Sequence, residues 1–184
     1  MSDYTIPRPA AGDITDLIAD DHRLFEDLMR DMRDVSADRD GARSAFAALL
    51  IAHSEAEEEV VYPKLVRRDV IEGEEEHHGE KEHAATNEAL LHLLQAKGTD
   101  TQKFDDAVEA VAEVLNHHIG EEEQTILNPA REDASEELRQ QLGADWAARR
   151  NELLEDGAGS LEQVESLVKQ AYEDGLLPND DQPS

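Results

Sequence analysis

The stretch "HSEAEEEVVYP", residues 53–63, returns in altered form as "HIGEEEQTILNP", residues 118–129. Each copy opens on a histidine, sets a glutamate four residues later (His53 with Glu57, His118 with Glu122) and runs through two apolar residues to a proline. Four residues is about one helical turn, so in a helix the imidazole and the carboxylate share a face. Both pairs interrupt apolar stripes. His53 follows Leu49 and Leu50 and precedes Val60 and Val61, while His118 and Glu122 continue a stripe of Phe104, Val108, Val111 and Leu115 toward Ile126. A polar group buried on such a face costs on the order of 2–7 kcal/mol unless something satisfies it.

Around these copies the chain divides into five or six helices. The first runs from about Asp13, its N-cap, to about Asp34, with Ile14, Leu17, Ile18, Leu24, Phe25, Leu28, Met29 and Met32 at helical spacing. After the polar turn "SADRDG" the second runs from about Ala42 into "VVYPKLVRRDV", where Pro63 kinks or ends it. "IEGEEE" breaks the chain before a third helix through "EHAATNEALLHLLQ". "KGTD" then leads into a fourth, capped by Asp100 or Thr101 and reaching Pro129. "DASE", residues 133–136, reads as a capping box for a fifth helix containing Trp146, and "SLEQVESLVKQAYEDG" forms a short sixth. The expected fold is all-α: an up-down-up-down four-helix bundle over residues 13–132, with one or two added helices over 133–174. Residues 1–12 are expected to be an N-terminal extension and 175–184 a flexible tail.

Composition narrows the function. Seventeen basic against 45 acidic residues give a net charge of −28, which argues against nucleic acid and anionic membranes and suits cation binding. The chain has no cysteine, so disulfides, thiolate metal sites and cysteine catalysis are excluded. No apolar run approaches membrane length, and "MSDYTIPRPAAGD" lacks a basic-then-apolar signal pattern, so the cytoplasm is the expected compartment.

The remaining histidines turn two pairs into a set. One histidine four residues before a glutamate means little in so acidic a chain, where a solvated pair is the ordinary explanation. A single histidine on an apolar stripe is usually a hydrogen-bonded core residue. But His22 also sits inside the first helix's stripe, and His83 shares a face with Leu90 on the third. Each helical hairpin therefore offers a lone histidine and then a His–Glu pair, with histidine separations of 31 and 35 residues. Counted from the turns near residues 38 and 99, the members of each hairpin come to within about one turn of the same height. The repeated phrase thus reads as half of a metal site written twice: His22, His53, Glu57, His83, His118 and Glu122. His92, among leucines with no carboxylate one turn away, reads as a non-ligand, and "EEEHHGE" as a solvated helix start. His118 is preferred to His117 because Glu122 follows it by four residues.

Four imidazoles and two carboxylates without thiolate suit iron, manganese or zinc. Six ligands exceed one tetrahedral zinc but suit two octahedral ions, with Glu57 and Glu122 bridging them and positions left for water, dioxygen or peroxide.

The pieces "DLIADDHRLFEDLM", "HSEAEEEVVYP", "EHAATNEALL" and "HHIGEEEQTIL" together resemble the hemerythrin family, in its single-domain bacterial form known as the HHE cation-binding domain, over residues 13–130. The resemblance implies a four-helix bundle around a non-haem di-iron centre, carboxylate- and oxo-bridged, that binds dioxygen or related small oxidants and is held by those six residues. The chain departs from the oxygen carriers on the third helix. They place a second histidine one turn from the first, whereas Gly79 and Asn87 flank His83 here, with His77 and His78 out of phase. One ion is left more open, which favours reaction with dioxygen, hydrogen peroxide or nitric oxide over reversible oxygen carriage. Catalase-like turnover is one form of this, although no residue identifies dedicated acid–base machinery. The alternative is a non-catalytic iron or oxygen sensor, or an iron-binding module, which an exposed apolar face on 135–172 would support. A ferritin-like oxidase ranks below both, because Glu-x-x-His occurs only at Glu74–His77, Glu75–His78 and Glu80–His83, all on one helix or its approach.

Overall fold

The computed structural model describes residues 4–178, so the first three residues and the final six of the expected tail lie outside it. Among the described residues every regular element is helical, in six continuous rods. The first is α1 (Ile14–Arg33). The second joins α2 (Arg39–Ala56), a π-helical turn (Glu57–Val61) and α3 (Tyr62–Arg67). After α4 (Gly73–Gln95), the fourth rod joins α5 (Gln102–Glu122), a second π-helical turn (Glu123–Leu127) and α6 (Asn128–Asp133). The last two are α7 (Glu136–Glu155) and α8 (Leu161–Glu173). No helix among them is long and apolar enough to cross a membrane.

Capping side chains set several starts. Asp13 accepts from the Thr15 N–H, and Asp38 from the Gly41 N–H, which starts α2 three residues earlier than the sequence suggested. Of the two candidates for α5, Thr101 caps, accepting from the Phe104 N–H at 3.2 Å. The capping box placed at residues 133–136 is corrected. Asp133 ends α6, and Ser135 caps α7 by accepting from the Leu138 N–H at 3.2 Å. The third helix begins at Gly73, so the glutamates of "EEEHHGE" lie in its first turn, where the helix dipole favours them.

The repeated phrase has a common local structure. Neither Pro63 nor Pro129 ends its helix. Each proline lacks an N–H and would press its ring on the carbonyl four residues back. The helix widens just before it: the Tyr62 N–H bonds the Glu57 carbonyl and the Asn128 N–H the Glu123 carbonyl, five residues back in both cases. The wide turns begin at Glu57 itself and directly after Glu122.

Packing is helix on helix. α1 lies along α2 and α4 along α5; α1 also meets α5, and α2 meets α4. Ile18, Phe25, Met32, Phe46, Leu49, Leu90, Leu93, Phe104, Val111 and Leu115 fill the core between them. The later helices cover this core, α7 across α1 and α2, and α8 along α4. On α7 one stripe at helical spacing makes the contact. Arg139 donates to the capping Asp13 at 2.7 Å, Trp146 is fully buried, and Arg150 pairs with Asp21. Between them Gly143 sits so close to the Gly12 carbonyl that a Cβ would lie 1.9 Å from its oxygen, so only glycine allows this approach. Leu177, within the segment expected to be a tail, is also buried.

Candidate metal centre

All six candidate ligands are buried, from α1 (His22), α2 (His53), the first π-helical turn (Glu57), α4 (His83) and α5 (His118, Glu122). They gather as two groups: His22, His53 and Glu122, and Glu57, His83 and His118, with the donor atoms of each group within 4.8 Å of one another. Glu57 faces both groups. Its Oε1 is 3.0 Å from His53 Nε2 and its Oε2 is 3.3 Å from His83 Nε2. Glu122 Oε2 lies 3.3 Å from His22 Nε2 and 3.9 Å from His118 Nε2.

A surrounding layer of carboxylates orients the rings. Nδ1 of His53 is 3.1 Å from Asp21 Oδ2, Nδ1 of His83 is 2.7 Å from Glu58 Oε1, and Nδ1 of His118 is 3.0 Å from Glu82 Oε2. An ionised carboxylate only accepts, so in these three rings the Nδ1–H donates outward and Nε2 turns toward the centre. There, His83 Nε2 and His118 Nε2 lie 3.1 Å apart. Two imidazole nitrogens and carboxylate oxygens converging this closely need a proton or a cation between them.

The donors that lack hydrogen-bond partners point the same way: His22 Nε2, His53 Nε2, Glu57 Oε1 and Glu122 Oε2 are all buried and unsatisfied. Buried polar atoms in folded proteins are nearly always paired. Four orphans facing one another, with neutral nitrogen and anionic oxygen chemistry, fit a pair of divalent cations of the kind imidazole and carboxylate share.

The electrostatics of the metal-free site follow from the same geometry. Burial disfavours a charged His53, but Glu57 and Asp21 outweigh it and raise its pKa to about 10. Burial likewise opposes charge on His83, and Glu57 and Glu58 raise it to about 10. Burial would push Glu57 up, yet His53 and His83 hold it well below the ordinary carboxylate range. Glu122 is also lowered: burial and Glu57 oppose its charge, and His22 and His118 overcome them. Protons thus occupy the centre when metal does not.

A proton count therefore reports loading. At pH 7 metal uptake should release roughly two protons, one each from His53 and His83, measurable in weak buffer with a pH indicator. The signs also set the stability of the metal-free protein. The raised histidines contribute fully below their ordinary 6.5 and lose that contribution as pH rises toward about 10. The lowered carboxylates contribute above their ordinary 4.5 and lose it as pH falls. The metal-free protein should melt highest between those two ordinary values.

Tyr62 breaks the symmetry of the two halves. Its hydroxyl donates to Glu122 Oε1 at 2.9 Å and also lies 3.3 Å from Glu57 Oε2, while its ring stacks on His83 with centroids 5.8 Å apart. The equivalent position in the second copy is Leu127. Burial, then Glu122 and Glu57, push the phenol pKa well above 10, so it stays a donor. Gly79 makes the room: a Cβ there would come 3.0 Å from the Tyr62 ring.

The other histidines stand apart. His92 is exposed in the last turn of α4, and His77, His78 and His117 are exposed beside the centre. Beyond the six, the residues that sequence reasoning missed are Asp21, Glu58, Glu82, Tyr62 and Arg150. Asp21, Glu58 and Glu82 each adjoin a candidate ligand in sequence. A void too narrow for a water molecule lies among Leu50, Ser54, Thr86, Asn87 and Leu115 beside His53, His83 and His118.

Residues 13–130, the span that contains all six candidates, match the family described as the hemerythrin HHE cation-binding domain. The chain belongs to that family. It is thus a metal-binding protein by family, and its two buried His/Glu groups could hold a cation. Two curated relatives are similar to it. An uncharacterised hemerythrin-like protein of Schizosaccharomyces pombe is 30% identical over 127 residues, covering 67% of this chain and 62% of that one. A protein of Nostoc sp. named DNA nickase is 28% identical over 143 residues, covering 76% of this chain and 40% of that one. The hemerythrin-family chain thus spans less than two thirds of either relative. No solved structure matches it.

Proposed function

We propose that the chain holds two metal ions, iron in preference to manganese or zinc, with His22 and His53 on one, His83 and His118 on the other, and Glu57 and Glu122 bridging. The observation that supports this is the pair of buried groups with four unsatisfied donors facing one another. In this reading the four long helices alternate in direction as an up-down-up-down bundle, and the centre binds or reacts with dioxygen, hydrogen peroxide or nitric oxide in the cytoplasm. Bound iron would supply redox change and open coordination positions. The chain supplies the rest: carboxylates that fix the tautomers of His53, His83 and His118, and a phenol that holds a proton against Glu122.

Because Gly79 and Asn87 flank His83 where a fifth imidazole would stand, we expect reaction in preference to reversible carriage. Protein reduced without oxygen, exposed to air and then held under vacuum should not return to its reduced spectrum. A repeatable return would restore oxygen storage. The supporting analysis is two irons per chain in freshly purified protein, and one zinc or no metal would overturn the proposal.

The ligand register has its own expected result. His118→Ala should empty or halve the site, while His117→Ala and His92→Ala should retain full metal content by elemental analysis. Greater loss from His117→Ala would shift the α5 register by one residue and make Glu121 the paired carboxylate.

The alternatives fare less well. A sensor passing its state to a protein partner would want an apolar face on 135–172, but among the described residues there only Leu161 is an exposed large apolar side chain. A ferritin-like oxidase needs Glu-x-x-His pairs from two helices, and the gathered groups contain none. A DNA-directed activity like that named for the Nostoc relative would have to overcome a net charge of −28, which repels a polyanion.

A further inference from the structure

We propose that the acidic cleft beneath α8 is the port through which divalent cations reach the buried centre; the port rests on the reading of that centre as a two-ion site. The cleft holds about 140 Å³ and lies between the second rod, α4 and α8. Glu55, Glu58, Glu80 and Asp174 line it, and among the described residues no lysine or arginine does. Three larger surface cavities differ. Lys64 and Arg68 line one, Arg8 another, and Arg33 with Arg39 a third.

The four carboxylates also lack a lysine or arginine partner outside the cleft. Glu58 Oε1 accepts from His83 at 2.7 Å, Glu80 lies 3.4 Å from His77, and Asp174 takes the neutral Gln170 amide at 2.9 Å. Glu55, half-buried, has no hydrogen bond or ion pair among the described residues. Carboxylates left without basic partners in a cleft focus a negative potential there, which concentrates cations and speeds their arrival. The cleft is an approach and not a chelate. Among the described residues, only the two buried groups bring three His or carboxylate donors within 4.8 Å of one another.

The cleft adjoins the centre. Ser54 and Asn87 line both the cleft and the void beside His53, His83 and His118, and Glu58 lines the cleft while holding the His83 ring. On the side of the void, His53 Nε2 is buried and unpartnered, a donor that calls for a cation. The void is too narrow for water, so a cation passes only when the shared wall opens. The Ser54 hydroxyl is tied to the Leu50 carbonyl at 2.9 Å, whereas Asn87 is partly exposed, which makes Asn87 the side chain that moves. α8 lies beyond the family span of 13–130, so the port is an addition of this chain to the family domain.

Stopped-flow mixing of Co²⁺ with the metal-free protein tests the port, through the visible absorption that the ion gains on leaving water for imidazole and carboxylate ligands. Glu55→Gln/Glu80→Gln/Asp174→Asn should load roughly tenfold more slowly than the wild type at low ionic strength, with the same final Co²⁺ content. High salt screens the field and should bring the two rates together. A control of equal charge change, Glu26→Gln/Glu113→Gln/Glu132→Gln, alters exposed carboxylates on α1, α5 and α6 and should load like the wild type. All the replaced side chains are exposed or partly so, and both variants should fold, checked by helical circular dichroism. Equal rates for the wild type and the cleft variant at low salt, or equal slowing in the cleft variant and the control, would overturn the port. A wild type that takes up no Co²⁺ would instead overturn the two-ion reading, and the port with it.

Discussion

Glu57→Ala should empty the centre and destabilise the protein by several kcal/mol. Glu57 is fully buried and faces both groups, so its loss removes one oxygen from each candidate ion. It also removes the main counter-charge of His53 and His83, whose pKa values it helps to raise to about 10. Removing one partner of a buried ion pair costs about 3–5 kcal/mol, because the other charge is left unpaired. The stabilisation that bound metal gives the native state disappears as well. Elemental analysis and denaturant unfolding read the two effects separately. Glu57→Gln keeps the shape and one acceptor, so it should lose metal with a smaller loss of stability. Full metal content in Glu57→Ala would remove the bridging role from Glu57.

Arg150→Met should be nearly as damaging, although Arg150 belongs to α7 and touches no candidate ligand by hydrogen bond. Its guanidinium is fully buried and grips Asp21 with two bonds, at 2.6 and 2.7 Å, while Asp21 receives His53 Nδ1. Truncation strands a buried carboxylate, again at a cost of about 3–5 kcal/mol. It also frees Asp21 to turn away from His53, and loss of such an outer partner lowers metal affinity roughly 10–100-fold. The double variant Asp21→Asn/Arg150→Met carries no stranded charge, so most of the stability should return while the affinity loss remains. Stability and affinity recovering together would mean that Arg150 acts on folding alone.

The two variants divide the protein along the line between local and long-range information. Helix positions were legible because the apolar stripes, Asp13 and Thr101 are local signals. The gathering of His22, His53, Glu57, His83, His118 and Glu122 was legible for the same reason. Helical rise and short turns fix how far along its rod each residue lies, and six polar interruptions of apolar faces at one height have few places to go. The repeated phrase itself encodes the wide turns, since each proline forces them locally.

The outer layer was not legible. Asp21, Glu58 and Glu82 each sit next to a candidate ligand in sequence, but among 45 acidic residues nothing local sets them apart from solvated neighbours. Which of them turns inward is decided by where an imidazole Nδ1 points once the helices pack. Tyr62 looked like one more apolar residue before a proline, and only the opening at Gly79 on another helix aims its hydroxyl between two carboxylates. Arg150 lies 129 residues from the aspartate it holds. Its stripe of Arg139, Gly143, Trp146 and Arg150 has no apolar periodicity to read, so only the docked position of α7 makes it part of the site. What the sequence determined by itself was the helices and the inner donors, because helical geometry repeats every few residues. The tertiary structure alone decided the orientation and charge of those donors, because hydrogen bonds between helices depend on packing that no single helix encodes.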